Sequence, residues 1–102
     1  MKRILVRYRV KPESADQNQK LIESVFSELN EAAPAGVSYA SFKLDDGVSF
    51  VHMASIDTDD GSNPLAGLAA FKAFTQDIKD RCDEPPVAME MTEIGAYRFF
   101  PE

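Results

Sequence analysis

Two spacings of apolar residues divide this chain: every second position in some stretches, every third or fourth in others. In residues 3–10, Ile4, Val6, Tyr8 and Val10 share one face and Arg3, Leu5, Arg7 and Arg9 the other. Period two with β-branched residues predicts a strand, which Pro12 ends. Leu21, Ile22, Val25, Phe26 and Leu29 then recur at helical spacing, opposite Lys20, Glu23, Ser27 and Glu31. Ser14 and Gln17 stand as a capping box at the start of this helix, and Ala33-Pro34-Ala35-Gly36 stops it. Residues 37–44 predict a second strand, and Asp45-Asp46-Gly47 a tight hairpin with glycine where φ must be positive.

The stretch from Gly47 to Asp57 is the centre of the pattern. Val48, Phe50, His52, Ala54 and Ile56 alternate with Ser49, Val51, Met53 and Ser55, so both faces are largely apolar. A strand of that kind is covered on both sides. After the polar loop 57–63, Asn63 caps a second helix with Pro64 at its first position. Leu65, Leu68, Phe71, Phe74 or Thr75, Ile78 and Cys82 mark its buried stripe. Gly67 weakens a helix interior by about 1 kcal/mol, which places a break there and the better helix from about Ala69. Pro85-Pro86 reads as a loop leading into a last strand, Val87–Phe100, bent or bulged at Gly95.

The order is β-α-β-β-α-β, the ferredoxin-like α+β plan with an antiparallel sheet. Right-handed crossovers put strand 3 between strands 1 and 2, and strand 4 beside strand 1, with both helices on one face. The other face carries Leu5, Val51 and Met53 beside Arg7 and Arg9. An exposed sheet face of that composition calls for a cover, and a second copy of the chain is the simplest one.

Composition narrows the partners. The 102 residues, 44% hydrophobic, suffice for a single domain spanning 1–102 with one core. No apolar run reaches the roughly 18 residues of a membrane span, and the basic start is too short in apolar residues for a signal peptide. The single cysteine suits a reducing cytoplasm. The net charge is −6, and the one cluster of cations lies on the first strand, so nucleic acid is a poor partner. One histidine and one cysteine do not make a zinc site. In the loop from Asp57, glycine falls fifth and Leu68 twelfth, which is not the spacing of a calcium loop. Nucleotide, disulfide-redox and serine-hydrolase signatures are missing.

Arg7-Tyr8-Arg9-Val10-Lys11-Pro12, Ala70-Phe71-Lys72-Ala73-Phe74 and Glu93-Ile94-Gly95-Ala96-Tyr97-Arg98-Phe99-Phe100 resemble the antibiotic biosynthesis monooxygenase-like proteins. The resemblance is one of pattern over nearly the whole chain. It implies a homodimeric α+β barrel with the helices outside, and a pocket in each subunit between sheet and helices. Relatives include cofactor-free monooxygenases of polycyclic aromatics, haem-degrading enzymes and isomerases. The haem-degrading branch fits poorly. Phe74-Thr75 stands where its histidine ligand belongs, Ile56 or a neighbour where it has tryptophan, and Val6 near its strand 1 asparagine.

The resemblance therefore implies oxidation of a small aromatic, quinol- or anthrone-like, without cofactor. His52 and Tyr8 are the candidate catalytic pair, on one face of neighbouring strands. Val6, Phe50, Phe71, Phe74 and Tyr97 are the candidate substrate contacts. Each has a plainer account. His52 can be a core histidine holding a tyrosine hydroxyl or a carbonyl. Tyr8, Tyr39 and Tyr97 can be amphipathic sheet residues. Arg7 and Arg9 read as ion-pair partners of Glu90 and Glu93, and Arg98 likewise. Cys82, beside Asp80, Asp83 and Glu84, has a setting that raises a thiol pKa and blunts reactivity. The alternative function is a non-catalytic dimer that binds a small apolar ligand or serves as a stress-associated accessory.

Overall fold

A computed structural model describes residues 1–99 of the chain. Its strands are β1 (Lys2–Val10), β2 (Val37–Lys43), β3 (Ser49–Ile56) and β4 (Cys82–Met91). Its helices are α1 (Ala15–Ala32), α2 (Ala69–Thr75) and the single turn α3 (Ile78–Arg81). The sheet is antiparallel throughout, in the order β2-β3-β1-β4, the ferredoxin-like arrangement expected from the pattern. Register places Val6 opposite His52, and His52 opposite Ser41. Side chains on paired positions share a face. Tyr8, Phe50 and His52 therefore all point toward the helices.

The core lies between that face and α1 and α2. Tyr8, Val10, Phe50 and Phe74 meet Ile22 and Val25 of α1, each almost wholly buried. Burying an aliphatic or aromatic side chain of this size contributes roughly 1.5–3 kcal/mol. Asn18, Ile22 and Val25 fall at helical spacing, so a polar residue is part of the buried stripe of α1.

Local chemistry accounts for most of the boundaries. Asn63 Oδ1 accepts from the Leu65 amide at 3.0 Å and opens the 3₁₀ turn Pro64–Gly67, as its position predicts. The chain restarts as α2 at Ala69, where the Glu28 carboxylate of α1 accepts from the amides of Ala69 and Ala70 at 3.3 and 2.7 Å. A carboxylate there suits the positive end of a helix. Gly36 has φ of 83° and lies so close to Asp57 and Thr58 that an added Cβ would meet Thr58 Cγ2 at 2.7 Å.

Several sequence expectations need correction. Ser14 makes no side-chain cap. Pro12–Ser14 form a 3₁₀ turn that runs straight into α1, so the Ser14–Gln17 capping box is not built. The hairpin between β2 and β3 stands where it was expected, spanning residues 44–48 with Gly47 at φ of 78°. Asp46 closes it by accepting from the amides of Val48 and Ser49 and from the Ser49 hydroxyl, which lowers its pKa. The second helix does not run through to Cys82. It stops at Thr75, the backbone turns at Asp77 with φ of 61°, and one further turn follows.

Pro85 and Pro86 lie inside β4, not in a loop. They are tolerated because β4 is an edge strand and its pairing with β1 shifts register between Arg7 and Val10. The irregularity lies there and not at Gly95, which falls beyond the end of β4. β4 ends at Met91, so most of the expected strand Val87–Phe100 is irregular, and Phe100 lies outside the described residues.

Candidate functional site

β1, β2 and β3 each contribute one or two polar groups to a patch at the middle of the helix-facing side. His52 of β3 is 3% exposed. Its Nε2 lies 2.7 Å from the Tyr8 hydroxyl; its Nδ1 lies 2.9 Å from the Tyr39 hydroxyl and 2.6 Å from Ser41 Oγ. Tyr8 in turn accepts from Asn18 Nδ2 at 2.9 Å. The Asn18 carbonyl accepts from Arg81 Nε at 3.2 Å. Arg81 also donates to the carbonyls of Phe74 at 2.7 Å and Gln76 at 3.3 Å, at the end of α2, and its guanidinium stands 5.6 Å from the Phe74 ring centre. Five residues from five elements thus extend from Arg81 to Tyr39. Among the described residues every buried side-chain nitrogen and oxygen has a partner.

The rings add a second layer of order. Phe50, Tyr8, His52, Tyr39 and Phe26 form a row in which each neighbouring pair is within 20° of parallel, with centroids 5.3–5.8 Å apart. Offset stacking at such separations stabilises aromatic pairs. Phe74 leans on both Tyr8 and His52, and Phe71 meets Tyr39 edge-on.

Electrostatics follow from burial. Removal from water penalises the imidazolium, and the His52 pKa falls to about 4, so the ring is neutral at pH 7. Burial likewise pushes Tyr39 up to about 12, against the lowering effect of the Ser41 hydroxyl. It also raises Tyr8 well above the ordinary phenol value, although the Asn18 amide opposes the change. Both phenols are therefore protonated.

Beside this network is a cavity of about 250 Å³ between the sheet and α2. Ile4, Val6, Ala54, Leu65, Phe71, Phe74 and Ile78 make its walls apolar; Tyr8, Tyr39 and His52 are its inner polar groups; Asn63, Thr75 and Pro86 also border it. A cavity of about 150 Å³ holds one benzene, so this one has room for a substituted or two-ring aromatic.

The candidate residues are not all in one place. His52, Tyr8, Val6, Phe71 and Phe74 all border the cavity. Phe50 stacks behind Tyr8, away from the wall. Tyr97 is 82% exposed and lines a separate groove with Arg3, Met53 and Met91, so it does not share the cavity with His52. Asn18 and Arg81 were missed by reading the sequence. Their signal was positional: Asn18 is four residues before Ile22, and Arg81 seven after Phe74, each on an apolar stripe.

Away from this network, Arg9 pairs with Glu84 at 3.3 Å, Lys2 with Glu90 at 3.7 Å and Arg3 with Glu93, so the expected partners of Arg7 and Arg9 are taken by other cations. Arg98 stacks on Tyr97. Cys82 is half-buried, and burial, ahead of Asp83, raises its pKa while Arg81 opposes the rise. Among the described residues no three of His, Cys, Asp and Glu converge as metal ligands, and no helix is long and apolar enough to cross a membrane.

No protein-family model matches the chain, and neither does any curated protein. Solved structures do. A crystal structure of an antibiotic biosynthesis monooxygenase superposes with a TM-score of 0.74 at 14% identity, covering 93% of this chain and all of the other. A protein from Mycobacterium tuberculosis gives 0.74 at 12% identity, over 93% of this chain and 96% of its own. A proposed antibiotic biosynthesis monooxygenase from Nitrosomonas europaea gives 0.74 at 15% identity, over 93% and 100%. The chain has the antibiotic biosynthesis monooxygenase-like α+β fold over nearly its whole length.

Proposed function

We propose that the protein is a cofactor-independent monooxygenase acting on a small aromatic with an activated methylene or hydroxyl, of the anthrone or quinol type. One observation carries this reading. A neutral imidazole and two protonated phenols stand in the wall of an otherwise apolar cavity with room for a substituted or two-ring member of that class. The fold shared with monooxygenase structures supports it.

The chemistry would run through the hydroxyl of Tyr8. As the substrate loses its proton to Tyr8 Oη, Tyr8 passes its own to His52 Nε2, a transfer over the 2.7 Å contact. The anion formed beside the ring offsets the burial that makes an imidazolium costly. The substrate carbanion then reduces dioxygen by one electron, and superoxide joins the resulting radical at carbon. The peroxide anion takes the proton back from His52 through Tyr8, and the hydroperoxide formed loses its remaining C–H proton and hydroxide as water. A methylene and one dioxygen thus become a carbonyl and one water. Phe71, Phe74 and Val6 would keep solvent from the carbanion.

The test is oxygen uptake with anthrone and a hydroquinone series. Wild type should consume oxygen, and His52→Ala should lose at least about 100-fold in turnover with its mass in solution unchanged. Unchanged turnover removes His52 from the mechanism. A second reading, a non-catalytic binder of a small apolar ligand, is favoured by one observation: both His52 nitrogens are already engaged within the protein. Ring binding without oxygen uptake would select it.

The protein is further proposed to act as a homodimer in the cytoplasm. The sheet face away from the helices leaves Val87 and Met89 more than half exposed beside Leu5, Val51 and Met53, a broad apolar surface for a second copy. Light scattering should give twice 11.3 kDa. A mass of 11.3 kDa would remove the dimer.

A further inference from the structure

The hydrogen bonds around His52 have a direction, and Arg81 sets it. A guanidinium has only donors. The group that Asn18 turns toward it is therefore the amide oxygen, at 3.2 Å from Nε. The amide NH₂ then faces Tyr8, and because NH₂ only donates, the Tyr8 oxygen must accept. Tyr8 is 2% exposed, and its own proton has one protein acceptor within reach, His52 Nε2. Nε2 is thereby bare and Nδ1 carries the ring proton. The opposite tautomer would leave the Tyr8 proton buried without a protein acceptor, which is unfavourable.

The direction continues past the ring. With Nδ1 protonated, neither Ser41 nor Tyr39 donates to it; both sit as acceptors at 2.6 and 2.9 Å. Ser41, the nearer acceptor at 2.6 Å, can turn its own proton to the Tyr39 oxygen, the direction in which it lowers the Tyr39 pKa. Of the two hydroxyls, Tyr39 borders the cavity and Ser41 does not. The Tyr39 proton is left to point at whatever occupies it.

We propose that Asn18, held by Arg81, sets the tautomer of His52 and so makes Tyr39 a hydrogen-bond donor to the ligand, which selects rings bearing an acceptor oxygen, a quinone or aryl ketone, over purely apolar rings. Asn18 and Arg81 are positioning residues; neither borders the cavity. The proposal rests on the cavity being the ligand site and is independent of the oxidation step.

The experiment uses the full chain labelled with ¹⁵N-histidine, together with calorimetric binding of 1,4-naphthoquinone and of naphthalene. Two-bond ¹⁵N–¹H correlations report which ring nitrogen of the single histidine is protonated. Wild type should show Nδ1–H and bind the quinone more tightly than naphthalene. In Asn18→Asp the carboxylate accepts from both Arg81 and Tyr8, so every bond beyond it reverses. His52 should switch to Nε2–H, and quinone affinity should fall about tenfold, with naphthalene affinity unchanged. Tyr39→Phe should lose the same quinone preference with the tautomer unchanged, a check that stands if Asn18→Asp does not fold. Nε2–H in wild type, Nδ1–H in a folded Asn18→Asp, or full quinone preference in Tyr39→Phe would each overturn the proposal. Failure to bind either ring would overturn it together with the ligand-site reading. Quinone preference without oxygen uptake would support it and remove only the oxidation.

Discussion

The two faces of the sheet are built by the same alternating strands, yet they have opposite chemistry. On the helix side Tyr8, Asn18, His52 and Arg81 are all under 7% exposed, and each polar atom has a defined partner. On the open side Val87 and Met89 are more than half exposed, and the Arg9–Glu84 ion pair lies among solvent-accessible side chains. The contrast shows where specificity resides. Buried polar groups tolerate one pattern of hydrogen bonds, because an unmade one is expensive. Exposed charges tolerate many, because water substitutes for any partner.

The arginines give the sharpest break of that comparison. Arg81→Met should cost about 3–5 kcal/mol in urea unfolding, because it strips the buried Asn18 and Phe74 oxygens, and the part-buried Gln76 carbonyl, of their donor. Arg9→Met, which removes only an exposed pair with Glu84, should cost less than about 1 kcal/mol. Equal losses would mean that the buried cation contributes nothing the surface does not.

The next effect is a dependence on pH. The unfolded chain takes up a proton at His52 near pH 6.5, while the native ring stays neutral to about pH 4. The stability this group contributes is therefore complete above pH 6.5 and is lost as pH falls toward 4, in total about 3 kcal/mol. His52→Gln should remove that component of the slope, and an unchanged pH profile would refute the neutral buried ring. On the open face, Met89→Lys should change the folding of the isolated chain least, by well under 1 kcal/mol, since the side chain is already wet. Its expected effect is on assembly: the mass should fall to 11.3 kDa at micromolar concentration. A dimer that survives it would place the interface elsewhere.

Element order, sheet order and the shared face of Tyr8 and His52 were readable, because alternation in residues 3–10 and 48–56 assigns each side chain a face without knowledge of its neighbours. The break near Gly67 and the Asn63 cap were readable for a similar reason: both depend on backbone chemistry within a few residues. Pro85 and Pro86 were misread as a loop because proline is excluded from paired positions of central strands, not from a bulged edge, and only pairing reveals the edge. Ser14 carried a capping signature, but the 3₁₀ turn before it had already brought the backbone into helical geometry. Asn18 and Arg81 were passed over since polar residues on a helix are solvated by default, and being 63 positions apart they share no local pattern.

What this sequence determined by itself is therefore the β-α-β-β-α-β order and the faces of β1 and β3, since these follow from spacing and from the short reach of backbone sterics. The tertiary structure alone decided which polar residues go inside, what each one bonds to, and in which direction those bonds run. That direction depends on a donor-only guanidinium meeting one amide oxygen across the fold. Such a meeting has no counterpart along the chain.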